Sequence, residues 1–181
     1  MLEKQLENIK TPYQLLEFMS NNINYGYLGK SGRVYHYDDF DFDEKWYDEY
    51  VLESSADILK TLCGNCWDQV ELERYYLENE NIKCESYFII GYDDLIFPTH
   101  TFMVIPNKEK YYWLEHSWEP NKGIWEFEKL EELLLYIKNK FMISYKLKEE
   151  DVVIYKYEKP LENYNCKEFM NYCEKGIKIE I

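Results

Sequence analysis

No run in this sequence approaches the roughly 18 apolar residues that a membrane span needs. The first ten residues, MLEKQLENIK, carry charge where a secretory leader would carry an apolar segment. Excess positive charge is missing as well. With 35 acidic residues against 21 basic, the net charge is −14, which argues against a nucleic-acid backbone or an anionic membrane as partner. Glycine and proline are few, at 7 and 5, and no linker, low-complexity tract or internal repeat divides the chain. These absences lead us to expect a cytoplasmic protein, in a compartment where thiols stay reduced. The five cysteines therefore need not pair, and an odd number leaves at least one thiol free in any case. Histidine is limited to His36, His100 and His116, so any histidine chemistry has three candidates.

What is present suits one folded unit. The 181 residues are 46% hydrophobic and include 19 tyrosines, which can line a cleft but more often pack half-buried. Thr11-Pro12-Tyr13-Gln14 reads as a helix start, with Leu15, Leu16, Phe18, Met19 and Ile23 as its buried face. Residues 25–44 are rich in Gly, Tyr and Asp and read as a surface loop, with a short strand at 33–37. Strand-like runs follow at 84–91, 99–105 and 111–118, the last two joined by a turn over Pro106–Lys110. Phe127, Leu130, Leu134, Ile137 and Phe141 recur at helical spacing. A strand at 152–157 and a short helix at 166–173 close the chain. The expected fold is α+β, an antiparallel sheet packed on helices. The expected division is a catalytic core over 1–120 and a helix-strand-helix extension over 121–181 on the same domain.

The chemistry concentrates in TLCGNCWDQVELERYYL, Thr61–Leu77. A C-x-x-C redox pair belongs after a strand in a βαβ unit, and this context does not match. A zinc site needs four ligands, and only one C-x-x-C is available. Cys63, Cys84, Cys166 and Cys173 fit small buried apolar roles. Cys66 differs by position. Asn65 can cap a helix in which Cys66 is the first residue and Asp68 the third. There the helix dipole stabilises a thiolate. The Cys66 N–H is also free to point at an oxyanion.

A nucleophilic thiol needs a base, and the base needs an orienting acceptor. His100 opens one strand and Glu115-His116 closes the next. A four-residue hairpin loop would pair Ile105 with Lys110, and thus His100 with Glu115, on one face of the sheet. Any register in which paired numbers have an odd total puts His100 and Glu115 on the same face. An even total would present His116 in place of Glu115.

The order Cys66, His100, Glu115 resembles the transglutaminase-like superfamily, the papain-related Cys-His-Asp fold. GNCWDQ (64–69) is similar to its Gly-x-Cys-x-Asp signature, and HTFMVI (100–105) to its His-Ala-Trp-Val-Glu-Val. YYWLEHSW (111–118) is similar to Trp-Val-x-Leu-Asp-Pro, with Glu115 where the family mostly has Asp. NIKCESYFIIGY (81–92) resembles the strand after the catalytic helix, and NNINYGY (21–27) the family's Ile-x-Tyr segment. The likeness covers about residues 11–120. It implies a thiol enzyme acting on an amide or ester carbonyl through an acyl-enzyme, with Cys66, His100 and Glu115 as the triad. Asn65 and Trp67 would lie beside the oxyanion or substrate, with Trp46 and Tyr35 as weaker oxyanion candidates. A peptide or protein amide is the expected substrate, hydrolysis is favoured over transamidation, and neither cofactor nor metal is expected. The alternatives are a peptide-binding module with a degenerate triad and an arylamine-acetyltransferase-like acyl transferase.

Overall fold

The first helix forms where its end signals place it. The Thr11 hydroxyl accepts the Gln14 N–H at 3.3 Å, and Pro12 sits in the first turn, where its missing N–H costs nothing. This helix, α1 (Pro12–Asn22), buries Leu15, Phe18 and Met19. In the computed structural model, which describes residues 7–92 and 97–181, the segment read as a loop holds more structure than expected. β1 (Gly26–Leu28) pairs with β2 (Val34–His36), and two short helices follow, α2 (Phe42–Glu49) and α3 (Ser55–Thr61). Helix α2 buries none of its residues fully, so no apolar stripe marks it in the sequence.

Helix α4 (Cys66–Asn79) is the centre of the molecule. Asn65 Oδ1 accepts from the N–H groups of Trp67 (2.7 Å) and Asp68 (3.3 Å), and Asp68 Oδ2 accepts the Asn65 N–H at 3.0 Å. This reciprocal cap starts the helix at Cys66, as the sequence predicts. Eleven of its 14 residues are buried, among them Asp68, Gln69, Glu71, Glu73 and Arg74. A helix enclosed all round must pair its polar groups internally.

The sheet contains β3 (Glu85–Gly91), β4 (Thr99–Asn107), β5 (Lys110–Glu115), β6 (Gly123–Phe127), β7 (Val152–Tyr157) and β8 (Ile177–Ile179). Its order is β6-β5-β4-β3-β7-β8, with every neighbouring pair antiparallel. Met103, Ile105 and Leu114 pack with Trp67, Val70 and Leu77 of α4. Phe102, Val104 and Trp113 face the other way, against Leu133, Leu134, Ile137 and Phe141 of α5 (Leu130–Tyr145). The α+β expectation therefore holds. Residues 121–181 are woven into the same sheet, with β6 beside β5 and β7 beside β3, and end with α6 (Cys166–Glu174) and β8.

The hairpin differs from expectation in one detail. Asn107 pairs with Lys110, so the turn has two residues, Lys108 and Glu109. Lys108 takes the left-handed conformation at φ +57°, which the twist of a tight hairpin requires. Ile105 consequently faces Tyr112, not Lys110. The register moves by two residues, its parity is unchanged, and each side chain keeps its predicted face.

A pair of buried acids holds β1 and the chain before α3 against α4. Asp68 Oδ1 accepts the Tyr50 hydroxyl (2.9 Å) and the Glu53 N–H (3.0 Å). Glu53 in turn accepts the Leu28 N–H and the Thr61 hydroxyl, each at 3.1 Å. Burial, with the nearby Asp68 charge adding, pushes Glu53 up to about 8. Burial pushes Asp68 up to about 7, against the pull of its backbone and tyrosine donors. A carboxyl raised in this way stabilises the fold fully below its ordinary value of 4.5 and loses that contribution as pH rises through about 8. We therefore expect Glu53→Gln, which keeps an acceptor for Leu28 and can donate to Thr61, to lose less stability than wild type between about pH 5 and about pH 9. Urea midpoints across that range measure the difference, and parallel curves for the two proteins would refute this role for Glu53.

Candidate active site

The rim of the sheet brings together residues that the sequence holds far apart. Cys66 stands at the first turn of α4, on one face of the sheet, and Thr101 of β4 fixes it there by donating its hydroxyl to the Cys66 carbonyl at 2.6 Å. His100, one residue earlier on β4, shares the opposite face with Phe102, stacking at 6.4 Å between ring centres. Because His100 lies near the start of its strand, its ring reaches the N-terminal end of α4, where it lines one cavity with Cys66 and feels that sulfur's field.

The far side of the ring belongs to Glu115. His100 Nε2 lies 2.7 Å from Glu115 Oε2, which leaves Nδ1 for the thiol. Glu115 is 2% exposed, and its other oxygen accepts the Trp118 N–H at 2.8 Å and the Ser117 hydroxyl at 3.1 Å. The carboxylate is thus locked, and the imidazole orientation with it. Burial works against a charged ring, but the Glu115 carboxylate and the Cys66 sulfur outweigh it and raise His100 to about 10. Glu73, on α4 and 2% exposed, keeps Oε2 without a partner. Burial, then the charge of Glu115, raises it well above the usual carboxylate range.

His116 takes the opposite face, as parity requires. Its tautomer follows from a chain of hydrogen bonds. The Gly64 carbonyl accepts from Gln69 Nε2 at 2.7 Å, so Gln69 Oε1 is the acceptor for His116 Nδ1 at 2.6 Å. Burial, with Lys122 nearby, lowers His116 to about 4 and keeps it neutral. His36 is exposed, with Nδ1 3.8 Å from the Cys63 sulfur. Burial pushes the Cys63 thiol up to about 12, with Glu53 adding. Among the described residues no group of three or more His, Cys, Asp or Glu could hold a metal ion, and none of the helices is long and apolar enough to cross a membrane.

Cys66 and His100 line a cavity of about 400 Å³ whose walls include Ile23, Tyr25, Tyr37, Trp118, Phe141 and Tyr145. Two of these aromatic residues, Phe141 and Tyr145, come from α5, outside the region of family resemblance. Tyr25 is the contribution that sequence reasoning missed, since Ile23-Asn24-Tyr25 carries a resemblance but no assigned role. Tyr25 is 38% exposed, yet desolvation at its hydroxyl, with the Cys66 sulfur adding, raises it well above the ordinary phenol value.

The other residues expected near the oxyanion lie elsewhere. Trp67 is 2% exposed and stacks on Phe169 at 4.6 Å, edge-on to Trp46 and Tyr50. It is a core residue, because the second position of α4 faces inward. Trp46 packs in that cluster, its ring centre 4.4 Å from that of Tyr50. Tyr35 stacks on Tyr27 at 4.8 Å. Asn65 is spent as the helix cap, though its Nδ2 has no partner. No protein-family model matches this chain, and a search of curated proteins finds no match.

Two outcomes follow. Glu115→Gln removes the charge that offsets burial, so the His100 pKa should fall from about 10 to below its ordinary 6.5, as read by NMR titration of the ring. The raised histidine stabilises wild type fully below 6.5 and ceases to do so as pH rises through about 10. The stability gap between the two proteins should therefore be widest in acid and close toward the upper limit. Trp67→Ala should cost about 3–5 kcal/mol in denaturant unfolding, the price of a large buried aromatic. A loss below about 1 kcal/mol would contradict its assignment to the core.

Proposed function

We propose that this protein is a cysteine-dependent acyl-transfer enzyme of transglutaminase-like type, acting on an amide or ester carbonyl and passing the acyl group to water. The observation that carries the reading is the 2.7 Å pair of His100 and Glu115 standing with Cys66 at the wall of one aromatic cavity. In the proposed reaction the thiol proton already rests on His100 as an imidazolium, in keeping with its raised pKa of about 10, and the Cys66 sulfur adds to the carbonyl carbon. The carbonyl π pair becomes an oxyanion near the Cys66 N–H, an orphan donor of the first helical turn. Collapse of that adduct expels the leaving group, which takes the proton from His100. Water then adds to the thioester, His100 removing its proton, and the thiol is released. Glu115 holds the ring in the tautomer that serves both steps.

The walls favour a neutral acyl group. Lys122 is paired with Glu119 at 2.7 Å, His116 is held neutral, and the rest of the lining named above is largely aromatic. The cavity's size is near the lower end for a ligand site, which suits one side chain of a peptide and its flanking carbonyl. A peptide-binding module with a capped thiol is the rival, and the 7% exposure of Cys66 favours it.

Labelling decides between them. Exposure to a panel of activated esters, followed by intact-mass and peptide mapping, should place one acyl group on Cys66. Cys66→Ala should abolish that labelling while keeping the fold, and Cys63→Ala should leave the rate within about twofold of wild type. Equal loss in both variants would point instead to a C-x-x-C unit, and no labelling of wild type would favour the binding module.

A further inference from the structure

The segment before β1 is zipped onto the approach to the catalytic helix. Asn24 N–H donates to the Leu62 carbonyl at 2.9 Å, Gly64 N–H to the Asn24 carbonyl at 3.1 Å, and Gly26 N–H to the Gly64 carbonyl at 3.4 Å. Gly26 permits this closeness, because a Cβ there would meet the Cys63 sulfur and the Tyr35 carbonyl oxygen at 2.3 Å each. The residue between Asn24 and Gly26 is therefore delivered to the start of α4 by backbone geometry alone. That residue is Tyr25, which lines the same cavity as Cys66 and His100. Its ring meets Tyr37 edge-to-face at 6.0 Å and lies 6.5 Å from Phe42.

We infer that the Tyr25 hydroxyl is the second oxyanion donor, acting beside the Cys66 N–H on the tetrahedral adduct. The inference rests on the acyl-transfer reading. Tyr25 and Cys66 line one cavity, so a carbonyl carbon bonded to that sulfur would hold its oxygen in the space that the Tyr25 side chain faces. Gln69 is bonded to Gly64 and His116, Thr101 to the Cys66 carbonyl and Asn65 Oδ1 to the helix cap; Asn65 Nδ2 has no partner, but Tyr25, not Asn65, lines the cavity with Cys66 and His100. As the sulfur adds and the carbonyl π pair moves onto oxygen, the Tyr25 O–H donates to that oxygen and keeps its proton. Desolvation, with the Cys66 sulfur adding, holds that proton more tightly than in a free phenol, so Tyr25 donates a hydrogen bond without acting as an acid.

The test compares two reactions of one sulfur. Alkylation by iodoacetamide displaces iodide at a saturated carbon and forms no oxyanion, whereas acylation by a p-nitrophenyl ester forms one. In Tyr25→Phe, which removes only the oxygen, alkylation of Cys66 should stay within about threefold of wild type and acylation should fall about 100-fold or more. Retained alkylation, with an unchanged near-ultraviolet dichroism spectrum, shows that the variant is folded and its thiol–imidazole pair intact. Equal slowing of both reactions would reduce Tyr25 to positioning the thiol. Acceleration of both would make it a cap that the substrate must displace. Either result overturns the donor role while leaving the enzyme reading in place. A wild type that alkylates at Cys66 but never acylates overturns the enzyme reading and the donor together.

Discussion

The structure around the candidate site depends on one carboxylate, that of Asp68. Both of its oxygens are used. One closes the cap on Asn65 and so fixes the residue at which α4 begins, and the other gathers the Glu53 N–H and the Tyr50 hydroxyl. Placing Cys66 at a helix start is useful only if that start is fixed, since fraying by one residue would redirect its N–H. The same acid tethers the chain that carries Glu53, and Glu53 tethers β1 through Leu28. The segment holding Tyr25 runs directly into β1. A single buried group thus sets the position of the nucleophile and helps to hold the wall opposite it.

The acidity of the chain looks different from inside the fold. Its buried carboxyls meet three fates. Glu71 is paired with Arg74 at 2.9 Å, although burial still raises it. Glu115 is paired with His100. Glu53 and Glu73 have no cation in contact, and burial favours their protonated forms. The third fate costs least when no partner is available, because an unpaired buried charge is dearer than a bound proton. This bears on the site, since burial that favours a protonated Glu73 leaves Glu115 and the Cys66 sulfur as the groups that raise His100.

Much of this arrangement was legible in the residues. Asn65-Cys66-Trp67-Asp68 is a local signal, and its cap forms within four residues. The hairpin was legible as a parity: the alternation of strand side chains put His100 with Glu115 and turned His116 away before the turn length was known. The illegible parts lack local signals. Helix α2 buries none of its residues fully, so it has no clear periodic stripe. Tyr25 and Tyr145 reach Cys66 only through tertiary approach, from the start of β1 and the end of α5, and nothing in their neighbouring residues marks a destination. Trp67 was misplaced because a motif names neighbours in sequence, whereas a helix sends successive residues about 100° apart. Adjacency to Cys66 therefore pointed Trp67 into the core.

The two-residue turn also gives a reason for glutamate at the third position. Had the loop been four residues long, His100 and Glu115 would stand directly opposite, and a short acid would span the gap. Extending the observed ladder past Met103 and Leu114 sets Phe102 opposite Glu115. His100 then becomes a diagonal neighbour on the same face, some 7–8 Å away at the backbone by ordinary sheet geometry. The extra methylene of glutamate supplies part of that reach. The Trp118 N–H and the Ser117 hydroxyl hold one carboxylate oxygen so that the other meets Nε2. A longer arm is usually a looser one, because it has more rotamers to lose. Here the bend after β5 that presents Ser117 and Trp118 removes that freedom. The tight turn, the diagonal offset and the longer acid therefore act as one arrangement: shortening the acid alone would leave the imidazole without the charge that now keeps it a cation.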